Sequence, residues 1–398
     1  METRRVLSER ASKRRAMLKN LLGIASLAVF PKIPRAQTTA PWLGDGGLLT
    51  DLGMELTPEQ REAGVAFLRR HASVDVHAHP GRFFLEDLSE TTETTRQYGP
   101  PFEERAVRDL NAGHVSASLI SCVSDLKLAE MTPTGIRSTR EFRPGEACAD
   151  YQRQMRALKS FSRRPGLAPG RSPSDILSAQ SHHRTAAVFP VEGGDFIEDR
   201  LDRIQAAFDD GVRAITIVHY HINQIGDIQS QPPVHGGLTE LGKSIIREMN
   251  HRGIIVDLAH ATLAVTRDVI EVSSQPVMLS HSNLVTQSFS HPRLITAEHA
   301  RLIAASGGVV GAWPSGFGQS TFSDYIDAIQ RLIDAVGIEH VAIGTDMDGN
   351  YKPVFRNYRD WGLIPAALMA RGLHENEAAA VMGGNFMRVF KKTLSAVA

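Results

Sequence analysis

The 398-residue sequence has two cysteines, no net charge and no apolar run of the length that spans a bilayer. Lys and Arg number 44, as do Asp and Glu, so no net positive field attracts nucleic acid or an anionic membrane. An exported protein could pair Cys122 with Cys148. Cys122 also lies in an apolar run typical of an ordinary buried thiol, and we assign neither cysteine a role in the chemistry.

The first forty residues differ in character from the rest of the chain. A basic stretch at 12–19 precedes a short apolar stretch at 21–30 and a small residue, Ala36, near a plausible cleavage point. The order Arg-Arg-x-Met-Leu-Lys resembles a bacterial twin-arginine export signal. We predict an export signal and linker over 1–40 and a periplasmic location. An amphipathic N-terminal helix or a retained anchor is the alternative.

A lead segment, predicted over 41–72, precedes a long region of alternating strand-like and helix-like patterns. Eight short apolar runs indicate strands, at 73–76, 115–120, 186–191, 212–218, 254–260, 276–281, 308–312 and 340–344. Segments compatible with helices separate most of them, as in parallel sheets. Eight repeats of strand and helix predict a (β/α)8 TIM-type barrel over 73–398.

Potential metal ligands stand at the ends of most of these predicted strands. They are His77, His79, Glu192, His219, His260, His281 and Asp346. Alone, each has an ordinary explanation, such as a hydrogen-bonded strand-end histidine or a solvated carboxylate in a turn. In a barrel, however, the carboxyl ends of all strands meet at one mouth. The shared position therefore predicts a metal site there.

The predicted ligands are imidazole and carboxylate, without a convincing thiolate. This set favours zinc, with manganese, iron and cobalt as alternatives. These histidines and two carboxylates are too many for one catalytic ion that keeps an open position. Two ions bridged by Glu192 fit better, and such a pair holds a hydroxide at neutral pH. The natural reaction class is hydrolysis of an amide or an ester.

Several motifs together resemble the renal (membrane) dipeptidase family of zinc peptidases, within the amidohydrolase-like superfamily. They are Gly-Leu-Thr-Glu-Leu-Gly-Lys around Thr239, Val-Asp-Leu-Ala-His ending at His260, Leu-Ser-His-Ser-Asn ending at Asn283, Glu192-Gly193-Gly194, Pro292-Arg293 and Gly384-Asn385-Phe386. The likeness extends from about residue 73 to about residue 390. It implies a barrel hydrolase that cleaves a small peptide next to a free C-terminal carboxylate.

The resemblance also implies which residues would hold each of two zinc ions. His77 and His79 match the pair that holds the first ion, and His260 and His281 match the pair that holds the second. Glu192 matches the carboxylate that bridges both. The family usually has His-x-Asp at its first motif, whereas this chain has His77-Ala78-His79, a pattern found in the wider superfamily.

Three further residues match groups that act on the substrate. By resemblance, His219 steadies the tetrahedral intermediate, Arg293 grips the terminal carboxylate of the substrate, and Asp346 passes a proton to the leaving amine. For Arg293 taken alone, a surface or helix-start arginine is the alternative. After the seventh strand the chain reads Ala312-Trp313-Pro314, where the family usually has Asn-Phe-Tyr.

We therefore predict an exported, dinuclear zinc dipeptidase with a small peptide as its partner. The oligomeric state is left open, with a homodimer as one option. His79 motivates one alternative, an amidohydrolase-type lactonase or amidase. Both departures from the family pattern motivate another, a catalytically weak relative that acts in the maturation of a secreted peptide natural product.

Overall fold

The computed structural model describes residues 52–85, 103–132 and 135–397. The predicted export signal and linker, residues 1–40, lie outside these ranges. The chain divides into one unit of residues 38–131 and 136–398 and another of residues 1–37 and 132–135. The fold below is that of the first unit. Among the described residues, no helix is long and apolar enough to cross a bilayer.

Eight parallel strands close into a barrel, which confirms the predicted (β/α)8 architecture. They are β1 (Val74–Ala78), β2 (Ala117–Ile120), β3 (Thr185–Glu192), β4 (Val212–Thr216), β5 (Ile255–Asp257), β6 (Met278–Ser282), β7 (Val309–Ala312) and β8 (Val341–Ile343). Each strand pairs with the next, and β8 pairs with β1 through Ile343 and Asp75. The fourth and fifth strands end earlier than predicted, so His219 and His260 follow their strands by three residues.

Twelve α-helices surround or flank the barrel within the described residues. They are α1 (Pro58–Arg70), α2 (Glu103–Ala112), α3 (Glu146–Phe161), α4 (Pro173–Ser181), α5 (Asp202–Asp210), α6 (Glu240–His251), α7 (Leu263–Val272), α8 (Ala297–Ala305), α9 (Phe322–Val336), α10 (Leu363–Ala370), α11 (Glu375–Ala379) and α12 (Asn385–Leu394). The sequence analysis did not predict α2, α4, or the short strands Cys122–Val123, Ala129–Thr132, Gly135–Ser138 and Leu167–Pro169.

The start and end of α9 follow from its sequence. The side chain of Thr321 accepts a hydrogen bond from the backbone N–H of Asp324, whose own side chain accepts from the backbone of Thr321. This reciprocal pair satisfies N–H groups that have no partner inside the helix. The helix buries one apolar face and ends before Gly337, whose φ of 87° suits a residue without a Cβ.

The barrel interior is packed at the amino-terminal end of the strands. One apolar cluster draws residues from all eight strands, among them Val74, Met278 and Val309, each the first residue of its strand. Phe386 and Phe390 of α12 join the same cluster. Apolar side chains therefore fill that end of the barrel, and the opposite, carboxyl-terminal mouth is left for polar groups.

The two cysteines are both free, so the pairing that an exported protein could form is absent from the structure. Cys122 lies in a short strand that pairs beside β3 and is fully buried. Burial raises the pKa of the Cys122 thiol, which keeps it protonated and unreactive at neutral pH. The thiol therefore acts as a small apolar group in the core.

His299 makes folding stability depend on pH at the contact between α7 and α8. It lies buried on α8, and a 2.7 Å hydrogen bond joins its Nε2 to Thr266 Oγ1 of α7. Burial lowers the pKa of His299 from 6.5 to about 4. At pH values between these two pKa values, His299 therefore binds a proton in the unfolded chain but not in the folded chain. Its contribution to stability is complete above about pH 6.5 and is lost as the pH falls toward 4.

We expect the His299→Gln variant to lose less stability than the parent protein on acidification. The difference in the free energy of unfolding between pH 7 and pH 5 should be smaller in the variant by about 2 kcal/mol. Urea denaturation of both proteins at the two pH values measures it. Parallel losses in the two proteins would contradict the assignment.

Candidate metal centre

The first half of the site joins the ends of β1 and β3. His77 lies in β1, His79 follows the strand by one residue, and Glu192 is the last residue of β3. The Nε2 atoms of His77 and His79 lie 3.4 Å from Glu192 Oε1 and Oε2, respectively. All three side chains are buried. The structure therefore brings the His-x-His pair and the predicted bridging carboxylate together.

The second half of the site meets the same carboxylate from the other side of the barrel. His260 Nε2 lies 3.1 Å from Glu192 Oε1 and 3.2 Å from His281 Nε2. His281 Nε2 lies 3.7 Å from Glu192 Oε1. Glu192 thus lies between two pairs of imidazoles that the sequence places far apart.

An unusual backbone conformation directs two site residues into the mouth of the barrel. His260 has a φ of 67° and Asp346 has a φ of 53°, both in the left-handed region that residues with a Cβ seldom adopt. Such conformations cost about 1–3 kcal/mol each and persist where the surrounding structure holds them. Their presence at two predicted site residues is consistent with selection for function at this mouth.

Two glycines, Gly311 in β7 and Gly344 directly after β8, leave room for the backbone of β6. A Cβ on Gly311 or Gly344 would lie 1.7 Å or 1.9 Å from the carbonyl oxygen of Ser280. The Ser280 side chain in turn makes a 3.0 Å hydrogen bond with Nδ1 of His281. This contact leaves Nε2 of His281 facing Glu192. The glycines therefore leave room for the backbone of the residue that precedes this histidine.

The charge states of Glu192 and of the second histidine pair suit a cation. Burial alone would raise the pKa of Glu192, but the surrounding histidines, His219 first, hold it well below its usual range. Burial also holds the pKa of His260 and of His281 well below the usual value, helped by Arg293 and His77, respectively. An ionised carboxylate and neutral imidazoles are the forms that bind metals.

His79 and Asp346 form a separate contact at the edge of the centre. His79 Nε2 lies 3.2 Å from Asp346 Oδ1, and Trp313 Nε1 donates to Asp346 Oδ2 at 3.3 Å. Burial would lower the pKa of His79, yet hydrogen bonds with Asp346 and Glu192 raise it to about 10. Asp346 is thus held against the ring that replaces the usual aspartate of the family's first motif.

His219 reaches the centre from the segment after β4, and Asp125 orients it. Asp125 Oδ1 accepts a 2.6 Å hydrogen bond from His219 Nδ1, and His219 Nε2 lies 3.5 Å from Glu192 Oε1. Burial would lower the pKa of His219, but Asp125 and Glu192 outweigh it and raise the pKa. The sequence analysis missed Asp125, which lies five residues beyond the end of β2 and two beyond the short strand Cys122–Val123.

Arg293 completes the wall of the site and is 3% exposed. Its Nη2 lies 3.0 Å from Nε2 of both His260 and His281, and its Nη1 donates to Gln229 Oε1 at 2.8 Å. The guanidinium carbon lies 5.3 Å from the centre of the Trp313 ring. Arg293 is therefore a buried cation at the barrel mouth rather than a surface or helix-start arginine.

The described residues fit a metal site by their donor atoms. His77, His79 and Glu192 form one group whose ligand atoms lie within 4.8 Å of one another, and Glu192, His219 and His260 form a second. The buried Nε2 of His77 makes no hydrogen bond within the described part of the chain. A cation would satisfy that nitrogen. Nitrogen and carboxylate donors suit zinc and neighbouring divalent metals.

A (β/α)8 barrel with buried histidines and a carboxylate at its mouth defines a class of proteins built to hold a metal between strand ends. The chain belongs to the membrane dipeptidase family, peptidase family M19, whose sequence model matches residues 64–397. The resemblance inferred from the motifs is thereby confirmed.

Comparisons with single proteins agree with the family. Dipeptidase verJ of Clonostachys rogersoniana is 32% identical over 239 residues, which cover 58% of this chain and 61% of that protein. The match thus spans about three-fifths of that relative's length. The crystal structure of the probable dipeptidase PvdM from Pseudomonas aeruginosa has a TM-score of 0.71 at 18% identity, and covers 85% of this chain and 100% of its own.

A second solved structure shows the same fold. It is a metallopeptidase from Rhodobacter sphaeroides, liganded with a phosphinate mimic of the dipeptide L-Ala-D-Ala. Its TM-score is 0.69 at 19% identity, and the match covers 81% of this chain and 99% of that one. These two structural likenesses support the fold.

Proposed function

We propose that this protein is a metal-dependent dipeptidase in which Glu192 bridges two divalent cations, zinc in the first place. One observation carries the proposal: five histidines place a ring nitrogen within 3.7 Å of this single carboxylate. In the proposed metal centre, His77 and His79 hold one cation, and His260 and His281 hold the other. The family of the chain and its buried donor set support the proposal.

The cations would supply a water whose pKa is lowered from about 15.7 to about 7 and would polarise the scissile carbonyl. The remaining steps belong to side chains of this protein. Asp346, held by Trp313 through one oxygen, would take a proton from the attacking water and pass it to the leaving amine. His219, fixed by Asp125, would donate a hydrogen bond to the oxygen that gains negative charge.

Arg293 would bind the terminal carboxylate of the substrate in this scheme. A planar guanidinium can make two parallel hydrogen bonds to a carboxylate, which fixes both position and orientation. Gln229 accepts a hydrogen bond from one end of the Arg293 guanidinium and so fixes its orientation. The terminal carboxylate of the substrate would therefore bind on the side of the guanidinium that faces the metal centre. A small peptide with a free C-terminus is therefore the substrate class that this wall favours.

The cell compartment and the domain boundaries stay predictions. We propose that residues 1–40 direct export to the periplasm, that 41–72 lead into the catalytic region, and that 73–398 form it. A periplasmic dipeptidase would meet small peptides from the cell wall or the medium. A homodimer is the proposed assembly.

Hydrolysis of a dipeptide panel with and without a chelator tests the proposed activity. We expect hydrolysis of dipeptides with a free C-terminus, loss of nearly all activity after metal removal, and recovery when zinc is returned. Equal rates with and without the chelator would contradict the metal mechanism. Lactones and simple esters form a separate arm, and faster turnover there would favour the lactonase or amidase alternative suggested by His79.

The Asp125→Asn variant tests how His219 is oriented. Asparagine removes the negative charge of Asp125 that raises the pKa of His219, so less of the ring carries the second proton with which Nε2 would donate. We expect kcat to fall about ten- to a hundredfold, as for other groups that orient the ligands or catalytic residues of a metal site. The basic limb of the pH–rate profile should move to lower pH, because the pKa of His219 falls, while the metal content stays unchanged. The Asp334→Asn variant on the surface of α9 is the control.

A further inference from the structure

Gln229 contacts the Arg293 guanidinium from a different part of the barrel mouth. It lies in the segment between β4 and α6, whereas Arg293 follows β6. The backbone N–H of Gln229 donates to the carbonyl oxygen of His260 at 2.8 Å, and the preceding residue, Ile228, forms an antiparallel bridge with Ala261. The backbone therefore fixes Gln229 beside a proposed metal ligand, independently of its side chain.

The side chain of Asp227 closes the loop in which Gln229 lies. Asp227 is fully buried, and its Oδ1 accepts hydrogen bonds from the backbone N–H groups of Val234 at 2.7 Å and His235 at 2.9 Å. Its Oδ2 accepts from the backbone N–H of Gly237 at 3.1 Å. One carboxylate thus ties the two ends of this loop together, and the fold sets the position of the Gln229 amide.

The hydrogen bonds of the buried Arg293 guanidinium go to uncharged groups. Its Nη1 donates to Gln229 Oε1 at 2.8 Å, and its Nη2 lies 3.0 Å from Nε2 of His260 and of His281. Its Nε is buried and makes no hydrogen bond within the described part of the chain. Buried cations are usually paired with an anion, and buried donors usually have an acceptor. An anionic ligand would supply both to Arg293.

The planar shape of the guanidinium decides where such a ligand can bind. Nε–H and one N–H of Nη2 point in parallel along one side of the group, a fork that matches the two oxygens of a carboxylate. Gln229 takes Nη1, which does not belong to this fork. Because Nη2 faces the ring nitrogens of His260 and His281, the fork of Nε and Nη2 lies next to the metal centre.

We propose that Gln229 is a positioning residue for substrate recognition, whose neutral amide oxygen holds Nη1 of Arg293 and leaves the fork of Nε and Nη2, with its charge unpaired, for the terminal carboxylate of the substrate. A carboxylate at position 229 would also accept from Nη1, but it would neutralise the guanidinium and compete with the substrate. The inference rests on the proposed function, because it takes the substrate to be a peptide with a free C-terminus.

The Gln229→Glu variant keeps the shape and the acceptor of the side chain and adds a negative charge. Binding of a phosphinate mimic of Ala-Ala, with either a free carboxylate or a carboxamide at its end, is measured on the zinc-loaded proteins. We expect the parent protein to prefer the carboxylate, and the variant to lose about ten- to a hundredfold in affinity for the carboxylate form only. KM for dipeptides should rise by the same factor with little change in kcat. A merely structural role predicts no such loss, because glutamate still accepts from Nη1.

Gln229→Met removes the acceptor without adding a charge, and it should show a smaller loss, again for the carboxylate form only. Gln152→Glu is the matched control, since it makes the same change of charge on the exposed surface of α3. It should bind both mimics as the parent protein does.

An unchanged carboxylate preference in Gln229→Glu, equal losses for both mimics, or no preference in the parent protein would overturn the inference. If Gln229→Glu does not fold, an unchanged preference in Gln229→Met overturns it instead. If the parent protein prefers the carboxylate and Gln229→Glu abolishes that preference, yet no dipeptide is hydrolysed, the proposed function fails and the binding role stands.

Discussion

Replacing Glu192 by glutamine is expected to lower kcat/KM for dipeptides by about a thousandfold and to reduce the bound metal below two ions per chain. The amide keeps the shape of the side chain and removes its negative charge. Glu192 contacts the ring nitrogens of both histidine pairs, so both proposed cations lose a ligand at once. Metal ions contribute several kcal/mol of transition-state stabilisation, and each 1.36 kcal/mol is about tenfold in rate.

The measurement pairs steady-state kinetics with metal analysis on the same protein samples. Glu298→Gln is the matched control, because Glu298 is an exposed carboxylate whose partner is Arg267. It should keep full activity and full metal content. Thermal unfolding of the Glu192 variant checks that the barrel is intact. An intact variant with two ions per chain and activity within about tenfold of the parent would contradict the bridging role.

Replacing Asp346 by asparagine is expected to separate proton transfer from metal binding. General acid–base groups contribute about a hundred- to ten-thousandfold, and kcat should fall within that range. Asparagine can keep the contact with Trp313 Nε1, but it carries no exchangeable acid proton for the leaving amine. The metal content should stay that of the parent, and KM should change little.

Metal analysis decides how the Asp346 variant is interpreted. Asp346 contacts His79, so it lies close enough to act as a ligand as well. A loss of metal in proportion to the loss of activity would show that Asp346 binds a cation and would contradict an acid–base role. A substrate with a better leaving group adds a second test, because it needs less protonation and should recover much of the lost rate.

The barrel could be predicted because its strands carry strong local signals. Buried parallel strands are short apolar runs, and all eight were visible without any long-range information. The connection between β2 and β3 was harder. It holds two strands, Ala129–Thr132 and Gly135–Ser138, and the helix α4, where polar residues weaken the apolar pattern. The helix α2 was missed at the end of a polar stretch for the same reason.

The residues gathered at the mouth were predictable to a similar extent. The rule that functional groups follow barrel strands identifies His77, Glu192 and His281, and the structure places them in one cluster. Asp125 lies five residues beyond the second strand, so the same rule does not reach it. The hydrogen bond from Arg293 Nη1 to Gln229 Oε1 carries no such signal, because the two residues lie 64 positions apart in the sequence. Only the folded chain shows that contact.

The central claim is that one carboxylate, Glu192, is shared by two cations. Anomalous diffraction at the zinc edge, from crystals of the protein loaded with zinc, tests it most directly. The account predicts two peaks about 3.5–4 Å apart, one beside His77 and His79 and the other beside His260 and His281, with Glu192 between them. A single peak, or two peaks with Glu192 bound to only one of them, would contradict it.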